Sequence, residues 1–217
     1  MLLDADDCQL VLIDYQTRLM PVMFENDLVL ANAQRLAQMA HTMQVPVWGT
    51  AQTPEKLGPL VPALQAAIEA AGGQTLAKTH FSAVADGLAD WLRPPARKVQ
   101  APAPIRGNAR SLPRHMQRPQ QPQQQQQPEE PGPNTIVIAG CEAHVCLLQT
   151  ALDLLEDEFD VWVVTDACSS RNERNRDAAF DRLAGNGAEL VTTEMVAFEW
   201  LRTSQHPAFR ELLGWIK

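Results

Sequence analysis

The sequence predicts an α/β protein, a three-layer α/β/α arrangement around a six-stranded, mostly parallel sheet. Three observations predict it. Short β-branched apolar runs alternate along the chain with stretches of helical apolar spacing. The strand-like runs are apolar on both faces, as strands covered by helices on two sides must be. At 217 residues and 45% hydrophobic content, the chain is long enough to bury one substantial core.

Gln9 to Asp14 (QLVLID) reads as the first strand, and Leu28 to Met43 carries an apolar stripe at Leu28, Ala31, Leu36, Met39, Ala40 and Met43 that suits an amphipathic helix. Val45 to Thr50 (VPVWGT) is the second strand. Pro62 opens a helix that the Gly72-Gly73 pair closes. Gln74 to Lys78 makes a short third strand, and Val84 to Leu92 a helix. Thr135 to Gly140 (TIVIAG) is an interior strand ending in glycine, and Leu147 to Leu155 a helix behind it. A strand at Asp160 to Thr165, a helix at Arg174 to Ala184, a strand at Ala188 to Thr193 and a helical stretch from Glu194 onward complete the series. Ligand sites in such sheets lie outside the carboxyl ends of the strands.

One stretch departs from this pattern. Residues 94 to 133 are crowded with proline and glutamine and show no apolar period, so they read as a disordered insertion into a single domain spanning 1–217. Such an insertion is either a tolerated expansion or a recognition segment, the latter through Arg97, Lys98, Arg106, Arg110, Arg114 and Arg118. Since it enters and leaves at a loop, closing it costs little stability.

Charge and cysteine usage narrow the function classes. A formal net charge of −8 argues against a general grip on nucleic acid, which needs clustered Lys and Arg. Four cysteines with no apparent pairing scheme and no Cys-x-x-Cys pair read as reduced thiols in an intracellular, most simply cytoplasmic, protein. The acidic N-terminus lacks the basic region of a signal peptide and the arginines of a transit peptide. No apolar run approaches membrane-spanning length.

Three strand ends carry the chemistry. Asp14 closes the first strand, Lys78 the third, and Cys146 follows the fourth, where a buried strand turns into a helix. In a parallel sheet all three converge on one edge. A cysteine in the first turn of a helix meets free N–H groups and the positive end of the macrodipole, which favour a thiolate. The set suffices for nucleophilic catalysis: the carboxylate takes the thiol proton, the cation favours the thiolate and backbone N–H groups receive the oxyanion. Taken singly, each residue also has a structural reading as core filler, turn cap or solvated charge. A binding scaffold recruiting a partner through the Pro/Gln stretch would not need the three together.

These residues resemble the three signature blocks of the isochorismatase-like cysteine hydrolases: Asp14 in LIDYQ (12–16), Lys78 in AKTHFS (77–82) and Cys146 in AGCEAHVCLLQTALD (139–153), with VTDACSS (164–170) also matching. The resemblance covers the chain apart from the insertion. With Glu-Ala-His-Val-Cys at the nucleophile and QTPEKLG (52–58) after strand two, the chain is most similar to the metal-independent branch, which includes the isochorismatase domain-containing proteins. The resemblance implies Cys146 as nucleophile, Asp14 as base and Lys78 as the residue holding both in register. It further implies a cis peptide between Cys141 and Glu142, an oxyanion hole formed by the backbone N–H groups of Glu142 and Cys146, and a homo-oligomer. The apolar runs Ala197 to Leu201 and Leu212 to Ile216 offer either an assembly surface or intramolecular core.

Gln16 and Phe81 are candidate pocket residues, and His144 is either a second acid or base or a structural donor. Cys8, Cys141 and Cys168 read as small apolar fillers, and Asp166 as a residue that fixes the loop after strand five. Zinc-dependent relatives carry an Asp and several His residues after strand two, whereas residues 49–58 here contain no histidine, so neither metal nor cofactor is expected. True isochorismatases lack the cysteine, so its presence points to acyl chemistry on a small amide or related C–N bond. The alternatives are a ribonuclease-like, RNA-associated activity, which the same branch suggests together with a mitochondrial association, or a non-catalytic scaffold.

Overall fold

The computed structural model describes residues 1–93 and 132–216. The expected insertion falls outside the described residues apart from Gly132 and Pro133.

β1 (Cys8–Ile13) and β4 (Thr135–Gly140) are buried along their whole length and lie side by side at the centre of the sheet, with Ile13 opposite Gly140. Their near-continuous apolar runs are what a strand covered on both faces requires. β2 (Val47–Gln52) flanks β1 and β3 (Gln74–Lys78) forms one edge; β5 (Asp160–Val164) flanks β4 and β6 (Glu189–Val191) forms the other. All five pairings are parallel, giving six strands in the order β3-β2-β1-β4-β5-β6. The chain builds outward from β1 to β3, then returns to start again at β4. The reversal leaves a crevice at the carboxyl ends of β1 and β4, the place where ligands bind in open α/β sheets.

Helices cover both faces. On one, α1 (Asn26–Thr42) packs against α3 (Pro62–Ala70), α7 (Thr193–Leu201) and α8 (Phe209–Ile216). On the other, α5 (Leu148–Glu156) packs against α6 (Glu173–Gly185) and the turn at Val84–Asp86, which leads into α4 (Leu88–Leu92). A one-turn helix α2 (Pro54–Leu57) follows β2. Helix starts follow local chemistry: Asn172 and Thr192 accept N–H bonds from Asn175 and Met195, and Pro62 supplies the fixed φ of a first helical residue.

Several boundaries differ from the sequence reading for identifiable reasons. The expected helix over 84–92 is split at Gly87, whose φ of 96° no helix accepts. The C-terminal helical stretch breaks after Leu201, where Arg202 takes a left-handed φ of 58°, and resumes as α8 at Phe209; β2 begins only after Pro46, which has no N–H to give a ladder. On α1, Leu28 faces solvent and Val29 takes the core position. In the C-terminal runs, Ala197, Trp200, Leu201 and Leu212 belong to the protein's own core, while Phe198 and Trp215 remain exposed.

The chain flanks of residues 94–131 are fastened at the amino end of the sheet. Gln9 Nε2 donates to Leu92 O (3.0 Å) and Pro133 O (3.1 Å), and the Arg93 guanidinium lies 3.7 Å over the Phe159 ring. This end is opposite the crevice.

The β1–β4 contact admits no side chain at Gly140: a Cβ there would fall 2.4 Å from Ile13 Cβ and 2.6 Å from Ile13 O. Gly140→Ala is therefore expected to cost about 1–3 kcal/mol by overpacking. Gly185→Ala, at the end of α6 where a Cβ meets nothing within 4 Å, is expected to be neutral or slightly stabilising. Urea unfolding of the two variants measures both, and equal stabilities would contradict the packing argument.

Candidate active site

The carboxyl ends of β1, β2 and β3 and the turn after β4 bring polar side chains into the crevice. Asp14 follows β1 in the left-handed region (φ 55°), a conformation that Asp tolerates better than most residues, and its N–H donates to Thr50 O (3.2 Å). Lys78 is the last residue of β3, paired in register with Gln52 at the end of β2. Both charged side chains are fully buried, and Lys78 Nζ lies 2.8 Å from Asp14 Oδ2. Thr50 Oγ1 donates to Asp14 Oδ1 (2.7 Å). Among the described residues Oδ2 has no partner besides the ammonium, so it retains a lone pair directed into the site.

The ammonium is further surrounded by Gln52 Oε1 (2.7 Å), Phe81 O (3.1 Å) and His80 O (3.3 Å). Gln52 is fixed in turn, since its Nε2 donates to Thr79 O (2.8 Å) and its backbone N–H to Gln16 Oε1 (2.9 Å). The Cys146 sulfur lies 3.9 Å from Gln52 Oε1, the oxygen that also accepts from Lys78. Asp14, Lys78 and Cys146 thus meet around one glutamine.

Cys146 does not sit in an ordinary first helical turn. Residues Ala143–Leu147 form a π-helical turn that leads into α5, and the Glu142 carbonyl accepts from Val145 N (3.0 Å) and Leu147 N (3.3 Å), on either side of Cys146. The turn is tied to β1 by Cys141 N donating to Ile13 O (3.0 Å) and to the loop after β5 by Ala143 N donating to Ser169 O (2.7 Å). The peptide joining Cys141 and Glu142 is cis.

Only 6% of Cys146 is exposed. Burial pushes its thiol up to about 12; the Asp14 charge adds to the rise and Lys78 opposes it. This upward direction opposes the thiolate that a helix start alone would favour. Desolvation disfavours the anion more strongly than one cation and a helix start favour it. Burial also raises the Cys8 thiol, to about 11, and the Cys168 thiol, to about 12.

The other candidates occupy supporting positions. Gln16 is buried, and its Nε2 donates to Gln52 O (3.0 Å) and Gly58 O (2.7 Å), so it braces the β2 end and does not line a pocket. Phe81 reaches Lys78 with its carbonyl, while the residue as a whole is 53% exposed. His144 Nδ1 lies 2.9 Å from Ser170 Oγ and Nε2 3.3 Å from Asn175 Nδ2, the contacts of a structural tie. The Glu142 side chain pairs with Arg171 at 2.8 Å. Asp166 Oδ1 accepts from Thr193 N (2.8 Å) and Oγ1 (2.9 Å), fixing the loop after β5.

Sequence reasoning missed Thr50 and Gln52 as site residues. Their signal was two polar side chains at alternate positions ending an apolar strand, flanked by the strands that carry Asp14 and Lys78. Among the described residues, no group of three or more His, Cys, Asp or Glu side chains is arranged to hold a metal ion, and no helix is long and apolar enough to cross a membrane.

Comparison with known proteins agrees with this architecture. Residues 121–195 match the Isochorismatase domain family. Isochorismatase domain-containing protein 2 of Bos taurus is 33% identical over 96% of this chain and 82% of its own, and that of Danio rerio is 32% identical over 94% and 83%. Among solved structures, the MAR1 ribonuclease of Caenorhabditis elegans superposes with a TM-score of 0.77 at 27% identity, covering 100% of this chain and 92% of that one. The Escherichia coli YcaC gene product, an octameric hydrolase of unknown specificity, gives 0.70 at 25% identity over 99% and 95%. Sheet order, crevice and relatives agree, and the chain belongs to the isochorismatase family of hydrolases.

Proposed function

We propose that the protein is a cysteine-dependent hydrolase of a small amide or related C–N bond, acting through a thioester. The observation that carries this reading is the convergence of a buried carboxylate with a free lone pair, a buried ammonium 2.8 Å away and a buried thiol around Gln52.

Because burial and Asp14 push the thiol's pKa up, deprotonation accompanies attack in this reading. Asp14 Oδ2 takes the Sγ proton as sulfur bonds to the substrate carbonyl carbon, and the carbonyl electron pair moves onto its oxygen. The N–H groups of Glu142 and Cys146 receive that oxyanion at the start of the π-turn. Collapse reforms the carbonyl and breaks the C–N bond, and protonated Asp14 gives its proton to the leaving amine. Water then attacks the thioester carbonyl carbon, giving its proton to Asp14, and the thiolate leaves with the acid product released. Asp14 returns the proton to sulfur, so the net change is amide plus water to acid plus amine. Lys78 stays protonated throughout, holding the Asp14 carboxylate in place and offsetting the charge that develops on sulfur.

A screen of small amides and ureas by rapid quench and intact-protein mass spectrometry tests this reading. A substrate that turns over should leave an acyl adduct on Cys146, and Cys146→Ala should reduce turnover by about 10³-fold or more. Turnover that persists in Cys146→Ala, or cleavage of RNA in place of any amide, would replace the thioester mechanism. The octameric Escherichia coli neighbour and the exposed Phe198 and Trp215 (43% and 37%) support a homo-oligomer. Light scattering should give a mass that is a multiple of the 24.0 kDa chain, and a monomer at micromolar concentration would reject assembly.

A further inference from the structure

Thr150 and Asp153 stand three residues apart, on one face of α5, the helix that continues from the π-turn carrying Cys146. Cys146 faces the Lys78 site; Thr150 and Asp153 have no part in the mechanism above. Thr150 is fully buried, and its Oγ1 accepts the N–H of Ala83 (3.0 Å). Asp153 Oδ2 accepts from Ser82 Oγ (2.5 Å). Ser82 and Ala83 directly follow His80 and Phe81, whose carbonyl oxygens lie 3.3 and 3.1 Å from Lys78 Nζ. At its other end the same loop is held by Asp86, whose Oδ2 accepts from Thr79 N (2.8 Å) and His80 N (2.9 Å).

We propose that Thr150 and Asp153 are positioning residues for Lys78: through Ala83 and Ser82 they clamp the loop whose two carbonyls aim the ammonium at Asp14 and Cys146. The π-turn and the helix that continues it thereby carry the nucleophile and set the register of the cation that acts on it. The ammonium has three N–H groups and a long flexible stem, so its direction is fixed only if its acceptors are fixed. Asp14 and Gln52 are anchored by the sheet, whereas the two carbonyls belong to a loop and depend on side chains to hold them. The inference rests on the reading of Cys146 as nucleophile with Lys78 as its cation.

The test is alkylation of Cys146 by iodoacetamide, which needs no substrate, followed by peptide mass spectrometry between pH 7.5 and 9.5. In the wild-type protein the rate should rise about tenfold per pH unit, since the thiolate fraction does so below the thiol's pKa. Thr150→Val and Ser82→Ala should each shift the profile to higher pH, labelling about tenfold more slowly at a given pH, as a one-unit rise in the thiol's pKa implies. Thr150→Ser, which retains the acceptor, should restore the wild-type rate. Lys78→Met sets the scale by removing the cation outright, and thermal melts confirm that each variant is folded. A merely structural clamp would loosen the loop and leave labelling equal or faster. If Lys78→Met slows labelling while Thr150→Val and Ser82→Ala do not, the positioning role is overturned. If Lys78→Met also labels at the wild-type rate, the role of Lys78 as the sulfur's cation falls with it.

Discussion

Two full charges lie at the carboxyl edge of this sheet with no contact to water, and holding them there organises most of what surrounds them. Removing a carboxylate and an ammonium from solvent costs several kcal/mol per ion, and attraction offsets that cost only when geometry is good and the remaining lone pairs and protons are satisfied. Here Asp14 and Lys78 lie 2.8 Å apart, Thr50 donates to the second carboxylate oxygen, and Gln52, His80 and Phe81 accept from the ammonium. Each partner requires a specific register: Ile13 opposite Thr50 in β1–β2, and Gln52 opposite Lys78 in β2–β3. A one-residue slip in either pairing would turn the polar ends to the wrong face, so the register that builds the core also assembles the ion pair.

The same pair governs the sulfur. Burial and the Asp14 carboxylate push the Cys146 thiol's pKa up, and Lys78 limits the rise. In the proposed mechanism the anion would form only as the carboxylate takes the proton, so negative charge would move from oxygen through sulfur to the substrate. The π-turn holds the sulfur and the Glu142 and Cys146 amides on a short segment fastened to β1 and to the loop after β5, which limits their relative movement.

The main lines of this arrangement were legible in the sequence. The apolar runs of β1, leading to Asp14, and of β4, passing through Gly140 toward Cys146, follow from the rule that interior parallel strands are buried on both faces. Lys78, at the end of the exposed edge strand β3, follows from the rule that ligands bind at the carboxyl ends. Less legible was whatever depends on what the end of a strand meets. Thr50 and Gln52 look in sequence like any polar residues leaving a strand; in the fold they are buried and bond to Asp14 at the end of β1 and Lys78 at the end of β3. The upward push on the Cys146 thiol was not legible, because a helix start is visible in sequence whereas desolvation is a property of the closed crevice. Gln16 and His144 were candidate pocket residues by proximity in sequence, but their polar atoms engage Gly58, Gln52, Ser170 and Asn175 in segments distant along the chain.

The central claim is that Asp14 and Lys78 form one energetic unit. A double-mutant cycle in urea unfolding, with Asp14→Asn, Lys78→Met and the pair combined, measures it directly. The account predicts that each single change destabilises by about 3–5 kcal/mol, because it strands an uncompensated buried charge, and that the double variant loses clearly less than the sum. Additive losses, or single changes within about 0.5 kcal/mol of wild type as at an unremarkable surface position, would contradict it.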